Sequence, residues 1–543
     1  MKLTLYLRKI NTIILVMLLL MMTFTATGCG NEEEDDGSGY SFTCTLYENP
    51  QNLDPQLATD KSSLTVIKNM FTGLMTLGAN GKIEYGVAKS YEVSDDGLKY
   101  TFVLRDNCHW HSSAGPEGLV TAHDFVYAFK RIFDPVMRSP YAEKFSFLQN
   151  AKSIMNGDME FTELGVYAVN NTELVFCLDE PNSEFLYLLT TAPAMPCNKR
   201  FFEGTKARYG LDDESVISNG AFYISQWAYD PYGSDNLIYM KRNYENSAND
   251  RVYPYMLTFI IERDSAAVAE NFTSSVTDCF VSETAQKKSF MGAIDVKSYE
   301  TTSYGIIFNK NLNIDSDIKR MLSLTVDRKG LESIAPENFK VAYGIIPGSL
   351  YVGDNVFREQ YPAISYDFYS ADTEEMLPDV VDRINRDYPD GVNILVMNKS
   401  EAGVIGKIVD DWQDELGIYV RTDYVEEDEY YSRLEVGEYF MAFAEISSDD
   451  SSVYYYLRNV IDEIYNKDDA YETKSLLDTS LSCIRDDIKC EIYRDAENAV
   501  MEAGDYIPLF YRKLFLIYRK NVSDLGFNPF SEQLDFEKAK YFK

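Results

Sequence analysis

The chain has 543 residues, of which 51 are Lys or Arg and 86 are Asp or Glu, for a formal net charge of −35. A hydrophobic content of 45% and a charged content of 25% exclude a wholly disordered chain. The acidic excess argues against nucleic acid and against a surface that hugs anionic lipid heads, since both need clustered Lys and Arg. Three His in the whole chain, and no His-Glu-x-x-His, disfavour a histidine-rich metal enzyme. At roughly 100–200 residues per domain, the length holds about three domains.

The N-terminus carries an address. Lys2, Arg8 and Lys9 precede an unbroken apolar run from Ile13 to Met22, too short for the ~20 residues of a membrane span and suited to a signal peptide. Ala26-Thr27-Gly28-Cys29 resembles a bacterial lipobox, with Ala26 where Leu is usual. The expectation is a lipoprotein signal peptide over 1–28, lipid on Cys29, and an acidic flexible tether over 29–39; a plain secretory signal cleaved nearby is the alternative. The other seven cysteines are scattered, odd in number and without a C-x-x-C pair, so free thiols are expected rather than a disulfide framework.

Along the body, Tyr91-Glu92-Val93, the turn Ser94-Asp95-Asp96-Gly97 and the alternating Tyr100, Phe102 and Leu104 predict a hairpin. Thr121-Ala122-His123-Asp124 reads as a helix N-cap with an acid three residues on. Phe125, Val126, Phe129 and Ile132 then share a helical face, and Pro135 ends it. Residues 166–178 read as two strands about an Asn170-Asn171 turn. Asn393–Met397 is a short apolar strand, Val404, Ile405, Ile408, Val409, Trp412 and Leu416 form a helical stripe, and Ile418–Tyr424 is strand again. That is a β-α-β unit, hence a parallel pair and an α/β domain.

Several segments match a family in order. They are Asn52-Leu53-Asp54-Pro55, Gly86-Val87-Ala88, the run Asp95 to Arg105, Trp110, Thr121 to Tyr127, Arg131 and Pro135. Further on come Leu164-Gly165-Val166, Asn219-Gly220-Ala221-Phe222, Trp227, Lys241-Arg242-Asn243, Phe308-Asn309 and Val326-Asp327-Arg328. Trp412, Leu416-Gly417-Ile418 and Ile507-Pro508-Leu509-Phe510-Tyr511 complete the set. With these, nearly all of the mature chain resembles the oligopeptide-binding lipoproteins, the peptide-receptor class (family 5) of solute-binding proteins serving ABC importers.

The resemblance implies an α/β, two-lobed periplasmic-binding-protein-like fold with mixed sheets, an extra inserted domain and a hinged interlobe cleft. Lobe I would join residues 40–85, 198–300 and 515–543, the inserted domain would be 86–197, and lobe II 301–514. It implies an oligopeptide ligand, an ABC permease complex as partner, and the membrane reached through lipid on Cys29 at the extracytoplasmic face. No cofactor, metal, nucleic acid or catalytic residue is expected, and the chain would be a monomer. A peptide-signal sensor on the same fold is the alternative function, and a secreted hydrolase a weaker one.

The family's anchor for the ligand amine lies in a Gly-Trp-x-Ala-Asp-Tyr segment, eight residues before an apolar end. Counting back from Leu457 aligns Glu445-Ile446-Ser447-Ser448-Asp449-Asp450 with it and puts Asp449 at the anchor. Asp449, Asp450 and Glu445 are thus the expected ligand-binding residues, and two added carboxylates would favour cationic ligands such as basic peptides or polyamines. A polar loop with surface acids is the plainer reading of the same stretch. Cys108, His109, His111 and His123 could be drawn as a metal site, but Trp110 and the Thr121–Asp124 segment favour a structural hairpin. Asp327-Arg328 is expected to be a structural ion pair or a cap after a helix. Of Tyr454, Tyr455 and Tyr456, at least one should be core, since consecutive residues cannot share a face.

Overall fold

The computed structural model describes residues 40–78, 81–232, 236–285, 294–353, 355–363, 371–398, 403–466 and 470–542. The expected signal peptide, Cys29 and the tether lie outside the described residues. An eleven-stranded sheet runs through the body. Its order is Phe222–Ala228, Leu237–Arg242, Pro254–Ile261, Tyr40–Leu46, Cys279–Ser282, Tyr506–Arg519, Ile294–Phe308, Met441–Ile446, Val392–Met397 and Val420–Val425, with Phe339–Val341 joined to Tyr506–Arg519.

Two long strands join the halves of this sheet. Ile294–Phe308 and Tyr506–Arg519 pair antiparallel from Ile294↔Arg519 to Ile307↔Tyr506, with register shifts between Glu300 and Thr302 and between Tyr304 and Gly305. Such irregularities bend a strand locally. At Gly305 a Cβ would lie 2.5 Å from the Ile507 carbonyl oxygen and the Tyr506 ring, so only glycine admits this approach. On one side, a hydrophobic core gathers Phe42 to Cys279 with the returning Leu516 to Ala539. On the other, two cores hold Tyr304 to Phe510 and Ile307 to Phe530.

The periodic segments fold as their patterns predict. Ala88–Val93 and Lys99–Leu104 form the hairpin, with Gly97 at φ +71° in its turn. Helix Ala122–Phe133 starts with the Asp124 carboxylate accepting the Thr121 N–H at 2.8 Å, and it stops before Pro135. Val166–Asn170 pairs with Glu173–Cys177. Val392–Met397 and Val420–Val425 are parallel neighbours, and helix Gly403–Leu416 between them buries the six residues of the expected stripe. Tyr454 and Tyr456 are core while Tyr455 is half-buried. The seven cysteines of the body are free.

Of the two expectations for Asp327-Arg328, the cap holds and the ion pair does not form between them. Asp327 caps the helix that follows, Arg328–Ile334, by accepting the Gly330 N–H at 3.0 Å. Arg328 donates to three backbone carbonyls, of Ala342, Ser323 and Pro508, at 3.2–3.3 Å. Local sequence marks the cap, but the carbonyls that claim Arg328 are brought by tertiary packing. His109 and His111 lie on the hairpin Gly115–Leu119 with His109–Ser112, where His111 stacks on Tyr223 at 4.1 Å. Among the described residues no three metal-ligating side chains cluster. None of the described helices is long and apolar enough to cross a membrane.

Candidate ligand-binding cleft

Strand Met441–Ile446 ends at the edge of a cavity, and helix Val453–Ile464 begins beyond it with Ser452 as its N-cap. The turn between them carries Asp449 and Asp450. The cavity measures about 410 Å³ and lies between the two halves of the molecule. Leu64, Lys68, Tyr141, Lys144, Tyr187 and Thr190 to Pro193 line it from one side, and Gly348, Ser349, Tyr351 and Asp449 to Ser451 from the other. Ser298 and Tyr299 of the first crossing strand and the returning segment Gly526 to Ser531 close it.

Polar contacts cross the cleft beside Asp449. The Lys144 ammonium lies 3.0 and 2.9 Å from the two Asp450 carboxylate oxygens. The Ser451 N–H donates to the Tyr187 phenol oxygen at 2.7 Å, and that phenol donates to Asp450 at 3.4 Å. Burial, and after it the Asp450 carboxylate, push the Tyr187 hydroxyl well above its ordinary pKa, so it stays a donor. Ser452 donates to Glu184 at 2.7 Å, and Ser183 donates through its N–H to the Leu481 carbonyl at 2.7 Å.

The three expected ligand-binding residues separate. Asp449 faces the cavity, and among the described residues no hydrogen bond or ion pair holds its carboxylate. Its side chain is exposed to the cavity, and partial desolvation there, then the neighbouring Asp450 charge, raise its pKa. Asp450 also lines the cavity, but its charge is taken by Lys144. Glu445 does not join them. It sits opposite Tyr304 in the sheet, accepts that phenol at 2.6 Å and lies 3.4 Å from Arg512, outside the cavity lining. Of the six-residue segment, Glu445 and Ile446 are strand and the other four lie in the turn, and strand alternation turns the Glu445 side chain away.

The turn, the cavity and the crossing strands together form a cleft between the two halves of the molecule. A family model described as "Bacterial extracellular solute-binding proteins, family 5 Middle" matches residues 82–463. The chain belongs to this family.

Oligopeptide-binding protein OppA of Bacillus subtilis (strain 168) is 35% identical over 178 residues, 33% of this chain and 32% of the relative. Periplasmic oligopeptide-binding protein OppA of Salmonella typhimurium is 24% identical over 478 residues, 85% of each chain. The chain spans about a third to a half of the length of the first relatives it matches, 32%, 34% and 52%. The unliganded open form of the periplasmic murein tripeptide binding protein MppA superposes with a TM-score of 0.75 at 21% identity, covering 93% of this chain and 98% of that one. Haemophilus influenzae OppA in complex with RPPGFSPFR gives 0.67 at 18%, covering 93% and 99%. These likenesses fix the two-lobed periplasmic-binding-protein fold of mixed α/β type.

In this solute-binding protein the matching motifs are largely scaffold. Arg131 is bonded to Asp54, to Gln56 at 2.6 Å and to Cys197 at 3.3 Å. Asn219 exchanges two hydrogen bonds with the Thr72 backbone at 3.2 and 2.8 Å. Asn309 donates to the Gly437 and Tyr439 carbonyls at 2.9 and 2.8 Å. The cleft residues that sequence reading missed are Tyr141, Lys144, Tyr187, Tyr299 and the segment Gly526 to Ser531. None belongs to a periodic or spaced signal. Lys144 sits in the short turn Glu143–Phe145 and reaches the cleft through packing alone.

Proposed function

We propose that this family 5 solute-binding protein is an extracytoplasmic lipoprotein that captures oligopeptides by their α-amino group and delivers them to an ABC importer. The observation that carries the reading is the Asp449 carboxylate, which lines an interlobe cavity of about 410 Å³ and, among the described residues, has no ionic partner of its own. A carboxylate exposed to a cavity in that state offers a site for a ligand ammonium. The printed names of the relatives, oligopeptide- and dipeptide-binding proteins, support a peptide as the carrier of that amine. The lipobox-like Ala26 to Cys29 supports anchoring by lipid at Cys29. The separate cores support a lobe I of 40–85 with 198–300 and 515–543 and a lobe II of 301–514, and a four-stranded sheet of its own, within the first lobe's core, supports an inserted domain, 86–197. The chain acts as a monomer and works by reversible hinge closure rather than chemistry.

The test is a thermal shift of the mature protein with a tetrapeptide pool and with the same pool N-acetylated. A ligand that binds only the folded state adds ~2.7 kcal/mol at a hundred times its Kd. The free-amine pool is expected to raise the Tm and the acetylated pool to leave it unchanged. Equal shifts from both, or fragments released into the supernatant, would overturn the reading. Fractionating cells that carry Cys29→Ala tests the anchor: the protein should leave the membrane fraction.

A further inference from the structure

Counted from sequence, Asp450 makes the cleft more negative, but its charge is already spoken for. Lys144 belongs to the first half of the molecule and Asp450 to the second, 306 positions apart. The ammonium bridges both carboxylate oxygens, at 3.0 and 2.9 Å, and lies 6.0 Å from the ring centres of Tyr141 and Tyr455. The two side chains are 27% and 12% exposed, so the pair is largely withdrawn from water. The other charges around the cavity are matched in the same way. Lys68 lies 3.2 Å from Asp535, and Lys61 lies 2.6 Å from Glu532. Among the described charged side chains of the lining, Asp449 is left over.

We propose that Lys144 is a specificity-determining residue. By neutralising Asp450 across the cleft it leaves Asp449 as the charge that meets the ligand, so the site selects ligands presenting one ammonium group over dications and polyamines. The inference rests on the amine-capture reading and replaces the cationic preference that a bare count of carboxylates suggests. An ammonium at Asp449 completes one ion pair in the cavity. A second ammonium would have to displace Lys144 from Asp450, giving up one pair to make another and leaving the Lys144 charge without its partner. A contact that merely latched the lobes would affect every ligand alike. A charge-counting role changes the ranking of ligands.

Calorimetry of the mature protein with two probes, tetraalanine and Lys-Ala-Ala-Ala, separates these roles. The parent should bind the Lys-first peptide no more tightly than tetraalanine. Lys144→Met exposes a second carboxylate and should shift the affinity ratio toward the Lys-first peptide by roughly tenfold or more, the scale of one added charge a few ångströms away in a partly solvated site. Lys144→Arg should keep the parent ratio. Asp450→Asn frees the Lys144 ammonium beside Asp449 and should weaken tetraalanine by roughly tenfold or more. Lys144→Met combined with Asp450→Asn restores one unpaired carboxylate and should restore the parent ratio. The double variant also covers the case in which Lys144→Met alone fails to fold, since Asp450→Asn and the double variant then carry the comparison. An unchanged ratio in Lys144→Met, or a double variant that binds tetraalanine as weakly as Asp450→Asn does, overturns the inference while peptide capture stands. Absence of binding by either probe to the parent overturns the peptide reading, and this inference with it.

Discussion

The Arg131 guanidinium forks onto the Asp54 carboxylate, Nη2 to Oδ2 at 2.5 Å and Nη1 to Oδ1 at 3.1 Å, with the two residues 4% and 1% exposed. The guanidinium also lies over the Phe202 ring at 4.0 Å. The pair ties the loop after the first strand to helix Ala122–Phe133, which explains why the two motifs occur together in one chain. Removing one partner strands the other charge in the core. Arg131→Leu is therefore expected to cost about 3–5 kcal/mol of stability in urea unfolding. A cost under about 1 kcal/mol, the scale of an exposed pair, would show that the core does not rely on it.

The sequence made some of this architecture legible and hid the rest for identifiable reasons. The stripe from Val404 to Leu416 and the hairpin through Gly97 are local patterns, with periods and turns set by neighbours along the chain. Spacing from Leu457, carried over from the family's anchor segment, points to Asp449, which lines the cavity. Glu445 was misplaced because the spacing does not say where strand Met441–Ile446 gives way to the turn. Lys144 could not be found at all. Its meaning depends on Asp450, which only the packing of one lobe on the other brings near.

Cysteine accessibility checks the free-thiol state. Cys44, Cys108, Cys197, Cys279 and Cys490 are buried, while Cys177 and Cys483 are half-exposed. Burial pushes the Cys197 thiol up to about 12, against its unfolded range, and so lowers its reactivity in the fold. Labelling by a thiol reagent at neutral pH should reach Cys177 and Cys483 first and the buried five only with denaturant. A body that shows fewer free thiols after unfolding without reductant would mean that disulfides form.

Substitution apportions the carboxylates. Asp449→Asn keeps the shape and removes the charge of a carboxylate exposed to the cavity, so affinity for a free-amine peptide should fall by roughly tenfold or more, 1.4 kcal/mol being a factor of ten. Glu445→Gln should leave affinity nearly unchanged, because Glu445 is bound to Tyr304 and Arg512 outside the cavity. If Glu445→Gln weakened binding more than Asp449→Asn in calorimetry, the anchor would lie on the strand rather than in the turn.

The raised pKa of Asp449 adds a dependence on pH with a definite sign. Burial, then Asp450, lift its carboxyl above the ordinary 3.8, while Lys61 and Lys144 pull the other way. Between 3.8 and the raised value the empty folded protein holds a proton that the unfolded chain has released. The stability from this group is thus fully present below 3.8 and is lost as pH rises through the raised value. Asp449→Asn never ionises, so at neutral pH it should raise the Tm of the empty protein even as it weakens binding. A ligand ammonium reverses the preference, because it pairs with the ionised carboxylate. Binding in that window should therefore expel a proton, and affinity should fall as pH drops through the raised pKa, above where an ordinary carboxylate would act. Calorimetry in two buffers of different ionisation heat counts the proton directly. Release by the parent and none by Asp449→Asn is the expected result; identical proton counts for the two would remove Asp449 from the amine site.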